Sequence, residues 1–279
     1  MTLLDTVKAL PVQHAHLSDG GTVRYREAGL ACGSAAAPVI VLLHGIGSGS
    51  ASWVRQLIAA QNKPVRLLAW DAPGYADSSP VATAQPQAAD YAQRIGLWLD
   101  ALHVNDVHVV GHSLGCIMAA SWARLQPQRV RQLTLLAPAQ GYGSATAEVR
   151  NQKQGDRLQA FASLGPQKMA QQRAPLLLSP HAHADEIALA THMMSQLQLA
   201  GYTQATHLLS NAIIANDLAQ LRCPITVACG DHDTITPPHN SQALAHSIGA
   251  TYISLPNAGH LCALQAAAQV NQHLGLSTP

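Results

Sequence analysis

Phenylalanine occurs once in 279 residues and aromatic side chains make up 4% of the chain, so aliphatic residues and alanine are expected to fill the core. Charge of one sign is also missing: 16 Lys and Arg against 15 Asp and Glu leave a formal net charge of +1 and no dense basic block. The charge balance therefore gives no reason to expect a nucleic acid or an anionic membrane as partner. No unbroken apolar string is long enough to cross a bilayer. Met1 to Gln13 carries Asp5 and Lys8 and lacks the apolar centre of a secretory signal. Five cysteines (Cys32, Cys116, Cys223, Cys229, Cys262) form an odd set with neither metal-ligand nor redox spacing. A reduced, cytoplasmic protein without metal or cofactor is the expectation.

What is present is alternation. Short β-branched or aliphatic runs alternate with longer helix-like segments, which predicts an α/β fold with a mostly parallel sheet covered on both faces. Val12–Leu17 and Thr22–Ala28 flank Asp19-Gly20-Gly21 as an opening hairpin. Strands are expected at Val39–Leu43, Val65–Trp70, Val107–Val110, Leu133–Ala137, Ile225–Ala228 and Tyr252–Leu255. Helices are expected at Ser52–Gln61, Ala88–Leu102 and Ala263–His273.

The alternation breaks once. Between Ala137 and Ile225 lies far more chain than one crossover needs. Its apolar spacing predicts helices at Ala147–Leu164, Gln167–Arg173, Ala184–Leu199 and Thr203–Ala215, punctuated by Gly165-Pro166, Ser179-Pro180 and Gly201. We expect residues 141–215 to form a helical cap on a core made of residues 1–140 and 216–279. An insertion after a mid-sheet strand lies over the strand ends where ligands bind. The plain alternative is a side excursion unrelated to any site.

Gly111-His112-Ser113-Leu114-Gly115 carries the chemistry. An apolar run, Val107–Val110, leads in and the helix-compatible stretch Cys116–Ala123 leads out. Strand, sharp turn and helix are the context in which G-x-S-x-G is a nucleophile elbow. Ser113 is then the expected nucleophile, and a serine hydroxyl needs a base to take its proton as it attacks. Composition cannot choose among 15 histidines, so position must. His260 directly follows the last strand and precedes the last helix, as a base reaching the site from a strand end should. His44 and His112 sit inside tight turns and are read as loop-shaping.

The acid that orients the base should follow the penultimate strand, where the chain reads Gly230-Asp231-His232-Asp233. Asp233 is chosen because it lies further into the loop, and Asp231 is read as a turn residue. The expected oxyanion donors are the N–H groups of Leu114 and Ile46, the latter in the glycine-rich loop His44–Ser50. That loop lacks the lysine of a phosphate-binding loop.

Nucleophile, acid and base in that order, with Leu43-His44-Gly45-Ile46-Gly47 and Asp71-Ala72-Pro73-Gly74-Tyr75-Ala76-Asp77-Ser78, make the chain resemble the capped α/β-hydrolase superfamily over nearly its whole length. The resemblance implies an eight-stranded sheet, a helical cap and cofactor-free hydrolysis through an acyl-enzyme. It also implies that the Asp71–Ser78 loop is a structural turn. Haloalkane dehalogenases and epoxide hydrolases of this fold carry an aspartate at the elbow, and Ser113 argues against both. The loop after His44 is similar to those of small esterases, enol-lactonases and meta-cleavage C–C hydrolases. Many C–C hydrolases have a second glycine soon after the elbow and a tryptophan after the histidine, where this chain has Cys116 and Leu261.

The first expectation is therefore a serine hydrolase of small to medium, largely apolar carboxylic esters. The alternatives are a C–C bond hydrolase, an acyl- or peroxide-transferring relative, or a ligand-binding receptor with little turnover. Met193, Met194, Leu197 and Leu199 are read as pocket wall or as helix-packing core. Arg150, Arg157, Lys168 and Arg173 would bind a substrate carboxylate if they point inward and are solvated otherwise. Cys116, one turn into the elbow helix, is read as a buried filler.

Overall fold

The structure, a computed structural model, describes residues 1–30 and 37–277; Cys32 lies outside them. A short helix, α1 (Leu3–Ala9), leads into the antiparallel pair β1 (Gln13–His16) and β2 (Thr22–Ala28). The remaining strands are β3 (Val39–Leu43), β4 (Arg66–Trp70), β5 (Val107–His112), β6 (Val130–Leu136), β7 (Ile225–Gly230) and β8 (Thr251–Leu255). They form one eight-stranded sheet in the order β1-β2-β4-β3-β5-β6-β7-β8. β2 pairs with β4 antiparallel, and every pairing from β4 through β8 is parallel.

Helices cover both faces, and the strands show why. All five residues of β3 are buried, and they alternate between two apolar clusters. Val39, Val41 and Leu43 face one cluster, while Ile40 and Leu42 face the other. On the first face lie α3 (Ala88–Ala101) and α4 (Leu114–Leu125); on the second lie α2 (Val54–Ala60), α10 (Cys262–Gln265) and α11 (Ala267–His273).

The core is less aliphatic than composition suggests. Trp53, Trp70, Trp98 and Trp122 are all fully buried, and Trp70 stacks on Trp98 with ring centroids 5.9 Å apart. A few large rings supply volume that an aromatic percentage understates.

Between β6 and β7 come α5 (Ala147–Arg173), α6 (Ala184–Ser195), α7 (Leu199–Asn211) and α8 (Ile214–Leu218). The expected break at Gly165-Pro166 is a kink within α5: Gly165 takes φ 67°, and the helix resumes on Pro166. Proline suits a helix start, where its missing N–H would have had no acceptor. Helix α6 ends at Ser195, short of the expected Leu199, and α7 begins earlier than Thr203.

Gly201 therefore punctuates nothing. It sits inside α7, where a Cβ would lie 2.0 Å from the carbonyl oxygen of Gly74, so its role is close backbone approach between α7 and the loop after β4. The expected C-terminal helix is broken at Ala266 into α10 and α11. Composition gave no warning of α9 (Pro238–Ser247). Helix α1 carried one sign in its Thr2/Asp5 capping box.

Candidate active site

Ser113 occupies the turn between β5 and α4 at φ 52° and ψ −115°, a conformation that costs a non-glycine residue about 1–3 kcal/mol. Its surroundings hold it there. The Ser113 N–H donates to the Leu136 carbonyl at 2.9 Å, and its own carbonyl accepts from Cys116 at 3.0 Å and Ala139 at 3.2 Å. Gly115 allows the packing, because a Cβ there would stand 2.1 Å from the Leu43 carbonyl oxygen. Strand, turn and helix thus meet as the five-residue motif requires.

His260 and Asp233 come together from the loops after β8 and β7. His260 Nδ1 lies 2.8 Å from Asp233 Oδ2, and the pair is 5% and 3% exposed. A carboxylate can only accept, so Nδ1 carries the proton and the Nε2 lone pair is left free. Asp233 is fixed in turn. Its Oδ1 accepts the Ile235 and Thr236 N–H groups at 2.8 and 2.9 Å, and the Thr236 hydroxyl stands 2.8 Å from Oδ2. Burial favours protonation of Asp233, but His260 and the Thr236 donors outweigh it and hold the carboxyl below its usual pKa. Asp231, the competing choice, is exposed and faces His232 at 3.9 Å.

The loop after β3 has its peptides oriented by His44. The Ala72 N–H donates to His44 Nε2 at 2.9 Å, which places the ring proton on Nδ1, 2.8 Å from the Gly45 carbonyl. The Ser48 N–H adds a second bond to the same oxygen at 3.1 Å. In a trans peptide the N–H opposes the C=O, so the Ile46 N–H is turned away from these donors. Among the described residues no backbone acceptor meets it. Tyr75 holds the next carbonyl, that of Ile46, at 2.8 Å. Burial lowers the pKa of His44, which keeps the ring neutral and this tautomer in place. Leu114 opens α4, and the first N–H groups of a helix have no acceptor within it.

His112 is bonded to the backbone of His260. Its Nε2 lies 2.8 Å from the His260 carbonyl oxygen, and burial, with the neighbouring His260, lowers its pKa to about 3. Cys116 donates to the Gly111 carbonyl at 3.2 Å, and burial raises its thiol pKa well above the usual value, so it is inert filler. Asp71 ties loops together: it accepts Ser50 N–H at 2.7 Å and the Arg24 guanidinium.

Ser113, His260 and Ile46 line one cavity of about 550 Å³. Met169 of α5, Met194 of α6, Leu197 in the turn after α6 and Tyr202 of α7 also line it. The open choice at Met193 falls to helix-packing core, and the reading of Leu199 as pocket wall or core needs correction. Met193 is buried in the second apolar cluster, away from the cavity, and Leu199, the first residue of α7, is 54% exposed. Of the four cationic residues, Arg157 and Arg173 line the cavity. Arg150 instead bonds the Gly143 carbonyl at 3.3 Å, and Lys168 is exposed.

Sequence reasoning passed over Thr236, Tyr75 and the tautomer lock at His44. Only Thr236 carried a local sign, as a hydroxyl three residues after the chosen aspartate. Among the described residues no cluster of three or more His, Cys, Asp or Glu could hold a metal ion, and no helix is long and apolar enough to cross a membrane.

The family description "alpha/beta hydrolase fold" matches residues 38–267. The dihydrolipoyllysine-residue acetyltransferase component of the acetoin cleaving system of Pseudomonas putida is 30% identical over 84% of this chain, which spans 62% of that protein's length. A 2-hydroxy-6-oxononadienedioate/2-hydroxy-6-oxononatrienedioate hydrolase of Cupriavidus pinatubonensis is 34% identical over 38% of this chain and 38% of its own. Among solved structures, the enol-lactonase of Burkholderia xenovorans LB400 superposes with a TM-score of 0.82 at 21% identity, covering 94% of this chain and 98% of its own. A thermophilic esterase of Thermogutta terrifontis gives 0.81 at 19% identity, covering 95% and 97%.

Proposed function

Because the chain belongs to the α/β-hydrolase family, we propose that it is a serine hydrolase that cleaves a small to medium, largely apolar carboxylic ester through an acyl-enzyme. The observation that carries this reading is the 2.8 Å bond from His260 Nδ1 to buried Asp233, with Ser113 lining the same cavity as His260. Asp233 orients the imidazole and stabilises it when protonated. His260 Nε2 takes the Ser113 proton as Oγ attacks the ester carbon. The developing oxyanion is received by the N–H groups of Ile46 and Leu114. Collapse expels the alcohol, protonated by His260. A water, deprotonated by the same nitrogen, then releases the acid and restores Ser113.

In this reading residues 141–215 are the cap, residues 1–140 and 216–279 the catalytic core, and the ligand is a small molecule. A reducing, cytoplasmic setting belongs to the proposal and draws on the free state of Cys116, Cys223, Cys229 and Cys262.

A second reading, C–C bond hydrolysis, is favoured by the resemblance to the dienedioate hydrolase and uses the same Ser113, His260 and Asp233. The two separate on a panel holding 4-nitrophenyl butyrate and a 2-hydroxy-6-oxo-dienoate. The ester reading expects a stoichiometric burst of nitrophenol followed by steady turnover, lost in Ser113→Ala. Turnover of the dienoate alone transfers the protein to the C–C class, and no turnover of either returns it to the receptor class.

A further inference from the structure

Seven arginines of the described chain, Arg24, Arg55, Arg66, Arg94, Arg124, Arg129 and Arg131, have a carboxylate within 4.0 Å. The two that line the active-site cavity do not. Among the described residues Arg157 and Arg173, both on α5, have no carboxylate within 4.0 Å, and no aspartate or glutamate lines the cavity. Asp156, the acid next to Arg157 in the chain, is exposed.

Arg157 lies over the Tyr142 ring at 6.0 Å, and its Nε is buried with no hydrogen-bond partner. A guanidinium that lines a cavity and has no carboxylate beside it keeps N–H donors available to an acceptor that enters that cavity. Both guanidinium groups are near enough to the buried Tyr202 phenol to favour its ionised form, although burial outweighs them and its pKa is raised overall. Arg157, Arg173 and Tyr202 all line this one cavity.

Resting on the hydrolase reading above, we propose that the preferred substrate carries a carboxylate, held by Arg157 and Arg173 while its ester lies at Ser113. Paired guanidinium forks match the planar geometry of a carboxylate. No lysine lines the cavity to favour a more highly charged phosphate, and Met169, Met194 and Leu197 offer an apolar wall to an aliphatic linker. The substrate class is thus a half-ester of a dicarboxylic acid, or a chemical equivalent with one free carboxylate and one scissile acyl bond. Hydrolysis would release a dicarboxylate or a carboxylate-bearing alcohol, so the reaction supplying the substrate must leave one carboxyl free.

The test compares 4-nitrophenyl hydrogen adipate with 4-nitrophenyl hexanoate, which have acyl chains of equal length with and without the charge. Wild-type protein should favour the adipate in kcat/KM, and added salt should shrink the preference. Arg173→Met, at an exposed position that tolerates exchange, and Arg157→Met should each lower the adipate-to-hexanoate ratio on the order of tenfold, through KM. Lys168→Met, outside the cavity, should leave the ratio unchanged. A ratio equal in wild type and both arginine variants overturns the inference.

Failure of the hydrolase reading looks different, because neither ester would then turn over. In that case calorimetry on Ser113→Ala decides. Monomethyl adipate should bind more tightly than dimethyl adipate, and the difference should vanish in Arg157→Met/Arg173→Met. Equal binding of the two adipates overturns the inference.

Discussion

At the strand end of the cavity the polar groups that bear on Ser113 are tied to one another. Asp233 is held by Ile235, Thr236 and His260, His260 by His112, and the loop at Ile46 by His44, Ser48 and Tyr75. At the helical end Arg157 and Arg173 lack carboxylate partners among the described residues. Groups that stabilise a transition state work best when their orientation is fixed before the substrate arrives. Groups that recognise a ligand must keep bonding capacity unused until it arrives. In the proposed reading the two ends therefore divide the work. Breaking a tie at the strand end should slow every substrate, whereas changing the helical end should redistribute rates among substrates.

The sharpest break is Asp233→Asn. An asparagine amide facing Nδ1 favours the wrong imidazole tautomer, and the expected loss in kcat is on the order of 10⁴-fold. Asp231→Asn, at an exposed site, should cost little by comparison. Equal losses in the two variants, measured on one ester, would move the orienting role away from Asp233.

His44→Phe tests whether the loop is held by a tautomer lock. Phenylalanine cannot bond Ala72 and Gly45, so the Ile46 peptide loses its fixed direction. A fall in kcat on the order of 10²-fold is expected, the scale for loss of one oxyanion donor, with KM nearly unchanged. His44→Gln, which can still accept and donate, should recover part of it. A stability-only effect would show as a lower urea midpoint with kcat per folded molecule intact.

Neutral burial of two histidines of β5, His112 beside Ser113 and His108 near the start of the strand, also sets a pH dependence. The pKa of His112 is lowered to about 3, chiefly by burial, and so is that of His108, which bonds the Thr134 hydroxyl at 2.8 Å. In the unfolded chain both rings titrate near 6.5. Below that pH the unfolded state takes up protons that the folded state refuses. Stability is therefore full above about pH 6.5 and falls on the order of 3 kcal/mol per pH unit for the two rings together, down toward their folded values. Urea midpoints that match at pH 7.5 and pH 5 would contradict neutral burial.

The smallest effect belongs to the helical end. Met194 lines the cavity beside Gly47, where a Cβ would meet Met194 Cε at 2.9 Å. Met194→Trp should disfavour long acyl chains relative to short ones, with each methylene worth about 1–3 kcal/mol in an apolar pocket. A uniform loss across a chain-length series would show that the helical end is not the selector.

The same division explains what could be read without a structure. The strands of the core announce themselves because alternate residues of β3 are apolar toward both faces, and the elbow sits where strand, turn and helix must follow one another. Ser113, His260 and Asp233 were legible because each follows a strand end, which restricts where its side chain can reach. Helices α5 to α7 were legible as helices, but which face meets the cavity depends on packing against the core, which local spacing does not encode. Arg157 and Arg173 line the cavity while Lys168, on the same helix, does not, and Met194 lines the cavity while Met193 is packed elsewhere. The kink at Gly165, where φ is 67°, re-aims part of that helix, and no periodicity continues across it. Thr236 and His44 act through single hydrogen bonds made in three dimensions, so composition could not rank them above other hydroxyls and histidines.

The central claim is that Ser113 carries the acyl group between two half-reactions. Rapid acid quench of the protein with excess 4-nitrophenyl butyrate, followed by peptide mass analysis, tests it directly. A butyryl adduct on the peptide containing Ser113, absent from Ser113→Ala, is the predicted result. Steady turnover with no adduct on that peptide, or an adduct that persists in Ser113→Ala, would contradict it.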